Sequence, residues 1–449
     1  MRVLILAAGL GKRMKSKYPK VMHKIMGKEL INWVIDTAKN LNPSKIGVVL
    51  GHKSEMVKEI LPSDIDIYYQ KEQLGTGHAV MSAKEFLNDE DILILYGDTP
   101  LITENTLKNL IEKHISTNAD ATILTAILND PTGYGRIIKD QDGNFIDIVE
   151  EADANEIQKK VKEINSGFVI FNGKKLKNAL FKIKPNNNQR EYYLTDVPKK
   201  LDNVKTYILD DFSETLGINN RLQLAEAEKI MKNRTLKNLM LNGVTIIDPS
   251  TTYISPDVKI GQDTIIHPMT FIFGETIIGD DCEIGPMTRI SSCKVGNHVK
   301  IVRSECEDAV IGNNVSIGPY SRLRTGTILR DNVKIGNFVE TKKSIINKNT
   351  KAQHLSYLGD ATIGEDVNIG AGTITCNYDG KNKHKTYIGN RVFVGSNSSL
   401  VAPINIDDDV LIGAGSTITE NIPKGSLALG RAKQINKADW VFKKREKGE

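Results

Sequence analysis

Cysteine is scarce in this chain. The four present among 449 residues, Cys282, Cys293, Cys306 and Cys376, form no CxxC pair and have no histidines at matched spacing, which excludes a disulfide framework and a thiolate zinc site. Reduced, mostly packed thiols are expected. Long apolar runs are also missing: nothing approaches the roughly 20 residues needed to cross a bilayer. The apolar opening, Arg2 to Ala8, is short and runs straight into Lys12, Arg13, Lys15 and Lys17, so it reads as a buried first strand rather than a secretion signal. A dominant charge is lacking too. Sixty Lys and Arg against 55 Asp and Glu leave a net +5, spread evenly apart from the tail Lys443-Lys444-Arg445-Glu446-Lys447, which argues against a dedicated nucleic-acid binder and leaves room for small anionic substrates. A soluble, cytoplasmic protein is expected.

What the chain has instead is a six-residue period. Ile254, Ile260, Ile266, Ile272, Ile278, Ile284 and Ile290 are evenly spaced; a second run reads Ile311, Ile317, Leu323, Leu329, Ile335, and a third Ile388, Val394, Leu400, Ile406, Ile412, Ile418. Glycine often follows the aliphatic, as in Ile278-Gly279 and Ile369-Gly370. This period fits neither a helix nor hairpin strands, but suits a parallel β-helix whose short strands each send one aliphatic inward before a glycine-assisted corner. The chain is too long for one core. Three regions are expected: an α/β domain over 1–220, a helical linker over 221–242 that stops at Asn242-Gly243, and a solenoid over 243–449 ending in the basic tail.

The front region carries two strand-ending signals. Val3 to Leu6 leads into Ala7-Ala8-Gly9-Leu10-Gly11-Lys12-Arg13-Met14, where small residues would let backbone N–H groups approach a phosphate and the cations beyond would neutralise it. A tight strand-to-helix turn explains the same residues. The second strand, Asp91 to Leu95, runs into Tyr96-Gly97-Asp98; ligands of open α/β sheets bind outside the carboxyl ends of strands, so Asp98 and the basic loop can share a crevice, with Asp98 holding Mg2+ or merely capping a helix.

In the solenoid the places where the period stumbles are informative. The register slips by four between Ile335 and Ile345, then runs on as Ile345, Lys351, Tyr357, Ile363, Ile369 and Thr375. A longer break, Cys376 to Lys385, precedes Ile388. Near these breaks gather Arg324, Lys342, Lys343, Lys351, His354, Tyr357, Lys383 and Lys385, a basic pocket suited to a sugar phosphate and the phosphates of coenzyme A. His354 and His384 are the candidate bases near neutral pH in this stretch. Cys376 offers a covalent alternative, with nothing nearby in sequence to activate it.

Leu6 to Met14, Pro19-Lys20, Gln73-Leu74-Gly75-Thr76, Tyr96-Gly97-Asp98 and Glu191-Tyr192-Tyr193-Leu194-Thr195-Asp196 resemble the sugar-nucleotide pyrophosphorylases. Continued through His354 to Asp360, Asn368 to Thr373 and Asn377 to Gly380, the whole order resembles the bifunctional N-acetylglucosamine-1-phosphate uridyltransferase / glucosamine-1-phosphate acetyltransferase family. Leu10 and Lys12 depart from the family's usual Lys and Thr, in a loop read mainly through backbone. The resemblance implies a Rossmann-like nucleotidyltransferase domain followed by a left-handed parallel β-helix of hexapeptide repeats, and a homotrimer. It implies that Leu6, Ala7, Ala8, Gly9, Gln70, Gly75 and Thr76 hold the uridine nucleotide beside Tyr96 and Gly97, with Arg13 and Lys20 on phosphate oxygens. Gly135, Glu150 and Asn165 would contact N-acetylglucosamine, and Asp98 and Asn219 would hold Mg2+. In the second domain His354 would accept the proton; Arg324, Lys342, Tyr357, Asn368 and Lys383 would bind glucosamine 1-phosphate, and Ala371, Asn377, Tyr378, Ser396, Ala414 and Arg431 acetyl-CoA. Two rivals are a single-activity pyrophosphorylase with a regulatory solenoid, and a sugar-nucleotide-binding scaffold.

Overall fold

A computed structural model describes residues 1–448. The chain divides into two compact units, Met1–Met231 and Lys232–Glu449, and the boundary falls inside a single helix, Arg221–Leu241. Ala227 and Met231 pack into a core of the first unit with Ile25, Leu30 and Trp33, while Leu236 and Leu239 belong to the core of the second. Among the described residues no helix is long and apolar enough to cross a membrane.

In the first unit the strand Arg2–Ala7 lies between Ile92–Tyr96 and Lys45–Leu50, parallel to both. The sheet continues beyond Lys45–Leu50 to Asp66–Tyr69, and on the other side through the antiparallel Glu163–Phe171 to Ala121–Ile127 and Val204–Ile208. Strand order therefore reverses at Arg2–Ala7, and such a switch point opens a crevice at the carboxyl ends of the strands. Alternate residues face opposite sides of the sheet: Val3 and Ile5 join one core with Ile31 and Val34, Leu4 and Leu6 another with Ala79 and Phe86.

The second unit is a parallel β-helix. Strands of mostly two or three residues pair with the strand one coil later, so the inward residues stack in three columns. One begins Ile254, Ile272, Ile290, Cys306, Leu323. A second begins Ile260, Ile278, Val295, Ile311, Leu329, and a third Ile246, Ile266, Ile284, Ile301, Ile317. The gap between the first two hexad runs is thus filled by Val295, Ile301 and Cys306, in coils shortened by a residue or two.

The slip near Ile345 has a different solution from the expected one. Thr341 fills the inward site opposite Leu323, and the buried apolar residues that follow at the column sites are Ile346, Ala352 and Leu358. Ile345, Lys351 and Tyr357 are therefore one residue out of phase and face outward. The glycines at one corner have a partner not foreseen from spacing. A Cβ on Gly279 would lie 2.0 Å from Oδ1 of Asn297 in the next coil, because that oxygen accepts the N–H of Asp280 at 3.0 Å. The device repeats as Asp280 on Gln262, Asn313 on Asn297 and Asp331 on Asn313. These Asx side chains therefore hydrogen-bond one coil to the one before it.

Candidate active sites

The crevice of the first unit encloses about 300 Å³, lined among others by Leu6, Ala7, Ala8 and Gly9, by Gln70, Gly75 and Thr76, and by Tyr96, Asp98 and Lys20. Gly97 borders it by packing on Ala7, while Arg13 lies exposed on the turn Lys12–Met14, outside the lining. Leu10, Gln73 and Glu191 line it as well; the last two sit in motifs that sequence singles out without giving them a role.

Lys20 ties the distant ends of this unit together. Its ammonium is ion-paired with Asp98 and donates to Asn219 Oδ1 at 2.9 Å. Asn219 is held for this role: its N–H donates to Gln223 Oε1 at 2.8 Å and its Nδ2 to the Gly217 carbonyl at 3.3 Å, leaving Oδ1 toward Lys20. One carboxylate and one amide oxygen thus converge on one cation. Among the described residues there is no group of three or more His, Cys, Asp or Glu placed to hold a metal. A hard divalent ion there would take its other oxygens from water and a nucleotide.

The turn at Gly75 is built by its neighbours. Gly75 adopts φ +105°, and a Cβ there would come 2.6 Å from the Tyr192 carbonyl. That carbonyl accepts the Gly77 N–H at 2.7 Å, Tyr192 N–H donates to the Leu74 carbonyl at 2.8 Å, and Leu194 N–H donates to Thr76 Oγ1 at 3.1 Å. The Glu191–Leu194 segment therefore straps the turn from behind. Gln70, 5% exposed, donates from Nε2 to the Gly75 carbonyl at 3.0 Å and sits 3.2 Å from His78 Nδ1.

Gly135, Glu150 and Asn165 meet on the far side of Tyr96. Asn165 N–H donates to the Gly135 carbonyl at 2.8 Å, and a Cβ on Gly135 would lie 3.2 Å from Glu150 Oε2. Asn165 and Tyr96 line a shared small cavity with Thr195, whose hydroxyl donates to Glu150 Oε1 at 3.1 Å. Burial raises the pKa of Glu150, and burial with the charges of Asp98 and Glu150 raises that of Tyr96.

In the second unit Arg324, Lys342, Tyr357 and Lys383 gather on one face. Arg324 N–H donates to the Thr341 carbonyl at 2.9 Å and its guanidinium pairs with Glu340 at 2.8 Å. Contact with the Lys383 ammonium, and then the charge of Arg324, lowers the pKa of Lys342. The break after Cys376 is a small hairpin: Tyr378 bridges Lys383, Asp379 Oδ1 accepts from the N–H groups of Lys381 and Asn382, and His384 lies 2.7 Å from Asp379 Oδ2. His384 is thus engaged inside the loop. Asn377, 6% exposed, donates to Asp360 at 2.6 Å and lies 3.4 Å from the Tyr357 hydroxyl.

His354 stands at a corner of the β-helix, opposite Asn337 in register. Below it, one residue per coil, follow Ala371, Ser396 and Ala414; the four stand two residues past the paired inward residues Ala352, Ile369, Val394 and Ile412. Gly415 in turn adjoins Arg431 Cδ. A histidine therefore heads a column of small residues that ends near a cation. Asn368 does not join this group within one chain. It pairs with Lys351 in the outward column of another face.

Family models agree with this division. A MobA-like NTP transferase domain matches residues 3–136, the GMPPB C-terminal domain 241–339, and bacterial transferase hexapeptide (six repeats) 385–420. Three relatives, each named bifunctional protein GlmU, align over nearly the whole chain. That of Thermosipho africanus is 60% identical over 99% of this chain and 98% of its own length. Those of Thermotoga petrophila and Caldanaerobacter subterraneus subsp. tengcongensis are 56% and 52% identical, over 99% of this chain and 100% and 98% of theirs. The chain belongs to the bifunctional GlmU family. Within the GlmU family frame the β-helix is of the left-handed hexapeptide kind; most of the crevice lining falls in the NTP transferase match, with Glu191 and Asn219 beyond it, and the His354 column runs into the hexapeptide match.

Proposed function

We propose that the chain makes UDP-N-acetylglucosamine in two steps, one per unit. In the second unit the amine of glucosamine 1-phosphate attacks the thioester carbonyl of acetyl-CoA; the C–N bond forms, the C–S bond breaks and coenzyme A leaves. In the first unit a phosphate oxygen of N-acetylglucosamine 1-phosphate attacks the α-phosphorus of UTP and pyrophosphate departs.

The observation that carries this reading is the placement of His354. It heads a column of small residues at a corner of the β-helix, along which an extended donor can lie, and the cations Arg324, Lys342 and Lys383 gather on one face of neighbouring coils to receive a sugar phosphate. His354 accepts the amine's proton as the C–N bond forms, and Asn377 and Tyr378 border the thioester end. Ala371, Ser396 and Ala414 let the donor approach, and Arg431 meets its phosphates. Asn368, on a separate face, completes a glucosamine 1-phosphate site together with Tyr357 when a second copy supplies it, which favours a homotrimer.

In the first unit both donors on Gln70 Nε2 are directed at protein groups, so Oε1 is left to accept from uracil N3–H. Lys20 neutralises the reacting phosphate and Arg13, on its exposed turn, the departing pyrophosphate. Mg2+ held by Asp98 and Asn219 would neutralise phosphate oxygens further. Gly135, Glu150 and Asn165 receive the sugar. The enzyme works in the cytoplasm and supplies precursors of the cell envelope.

The test is release of free coenzyme A from acetyl-CoA plus glucosamine 1-phosphate, without UTP, beside the same assay with glucosamine 6-phosphate. Release with the 1-phosphate alone is expected. No release from folded protein would reduce the solenoid to a scaffold.

A further inference from the structure

Gln70 is almost fully buried, and its amide nitrogen has two neighbours, the Gly75 carbonyl at 3.0 Å and His78 Nδ1 at 3.2 Å. A carbonyl oxygen only accepts, so the NH2 end of Gln70 faces Gly75 and the oxygen end does not. The second amide hydrogen is then directed at His78, whose Nδ1 accepts it when the ring proton sits on Nε2. With both hydrogens engaged, Oε1 is the one polar atom of the Gln70 side chain left for the crevice it lines. His78 itself does not line that crevice. It is half-buried on the helix Thr76–Ser82, with its ring 6.3 Å from that of Tyr192 in the strap behind the Gly75 turn.

We infer that His78 is a positioning residue that sets base specificity: by accepting the second amide hydrogen of Gln70 it holds Oε1 toward the base, so the site takes a pyrimidine bearing N3–H and rejects one whose N3 is a lone pair. Uracil has that hydrogen and cytosine does not. The inference rests on the reading of Gln70 as the group that meets the base. Without His78 the amide is held by one hydrogen bond, to Gly75, and an overturned amide would set Oε1 against that carbonyl; discrimination should weaken rather than vanish.

The experiment compares kcat/KM for UTP and CTP in the full-length enzyme, with coenzyme A release by the second unit as a check that each variant is intact. His78→Phe keeps the ring and removes the acceptor, and should lower the UTP-to-CTP ratio about 5-fold, the worth of one net hydrogen bond. His78→Asn places Oδ1 where Nδ1 stood and should restore most of the ratio. Gln70→Ala should lower it at least as far. If Gln70→Ala lowers the ratio and His78→Phe does not, the inference fails while the reading of Gln70 stands. If neither changes it, the reading of Gln70 fails as well. Equal losses in His78→Phe and His78→Asn would show that ring volume matters and the acceptor does not, and would also overturn the inference. Should His78→Phe not fold, His78→Leu serves the same arm.

Discussion

At the scale of single residues, the two units make each other's controls. His354→Ala is expected to cut acetyl transfer by about 10²- to 10⁴-fold, the usual range for a lost general base, while pyrophosphate release from UTP and N-acetylglucosamine 1-phosphate is unchanged. Asp98→Ala should do the reverse: uridylyl transfer is lost even at saturating Mg2+, and coenzyme A release persists. Retained uridylyl transfer would dismiss Asp98 as a metal ligand. Glu150 links stability to pH. Burial raises its pKa, so the folded state binds this proton more tightly than the unfolded chain does. The resulting loss of stability is absent below the ordinary carboxylate range, grows as pH rises through it, and is complete once pH passes the raised folded value. Glu150→Gln keeps the acceptor for Thr195 and removes the charge. At neutral pH it should melt above the parent, with no difference near pH 3, and should raise KM for the sugar phosphate. Calorimetry across that range decides it.

At the scale of elements, the Gly75 turn depends on the strap behind it. Gly75→Ala must move the Tyr192 carbonyl as well as leave a left-handed φ, a strain of about 1–3 kcal/mol. A rise in KM for UTP of at least 10-fold is expected, with acetyl transfer intact; an unchanged KM would show that the strap yields. The turn also shows how far spacing alone reaches. The Gln-Leu-Gly-Thr motif and Glu191–Asp196 are both legible as motifs, but that one buttresses the other is a fact of distance in space. The solenoid was legible for a simpler reason, since one inward aliphatic per short strand leaves a period that nothing else produces. Its phase was misread at Ile345, Lys351 and Tyr357 because Thr341 and Ala352 fill inward sites there, and a small or polar residue in a core column looks like a gap. Asp280, Asn297 and Asn313, each after a corner glycine, carry hydrogen bonds between coils that spacing does not announce.

At the scale of the whole molecule, the proposed glucosamine 1-phosphate site is incomplete in one chain, because Asn368 and Tyr357 lie in different columns. Sedimentation should return a trimer. If Asn368 serves the His354 of another copy, then inactive His354→Ala and Asn368→Ala proteins, dissociated and reassembled at equal ratio, should recover about a quarter of parental acetyl transfer by random association. No recovery from mixed trimers would place both residues in a site of one chain. The corner column has a further consequence. Coils of a β-helix repeat at the spacing of paired strands, about 4.8 Å, so the four steps from His354 through Ala371, Ser396 and Ala414 to Arg431 cover about 19 Å. With the donor lying along this column as proposed, the scaffold would be in effect a ruler graduated in coils, measuring a donor by length as well as by chemistry. An acetyl thioester cut short of its nucleotide end would still reach the histidine mark while leaving the arginine mark unread, and deleting one coil would call for a donor one graduation shorter.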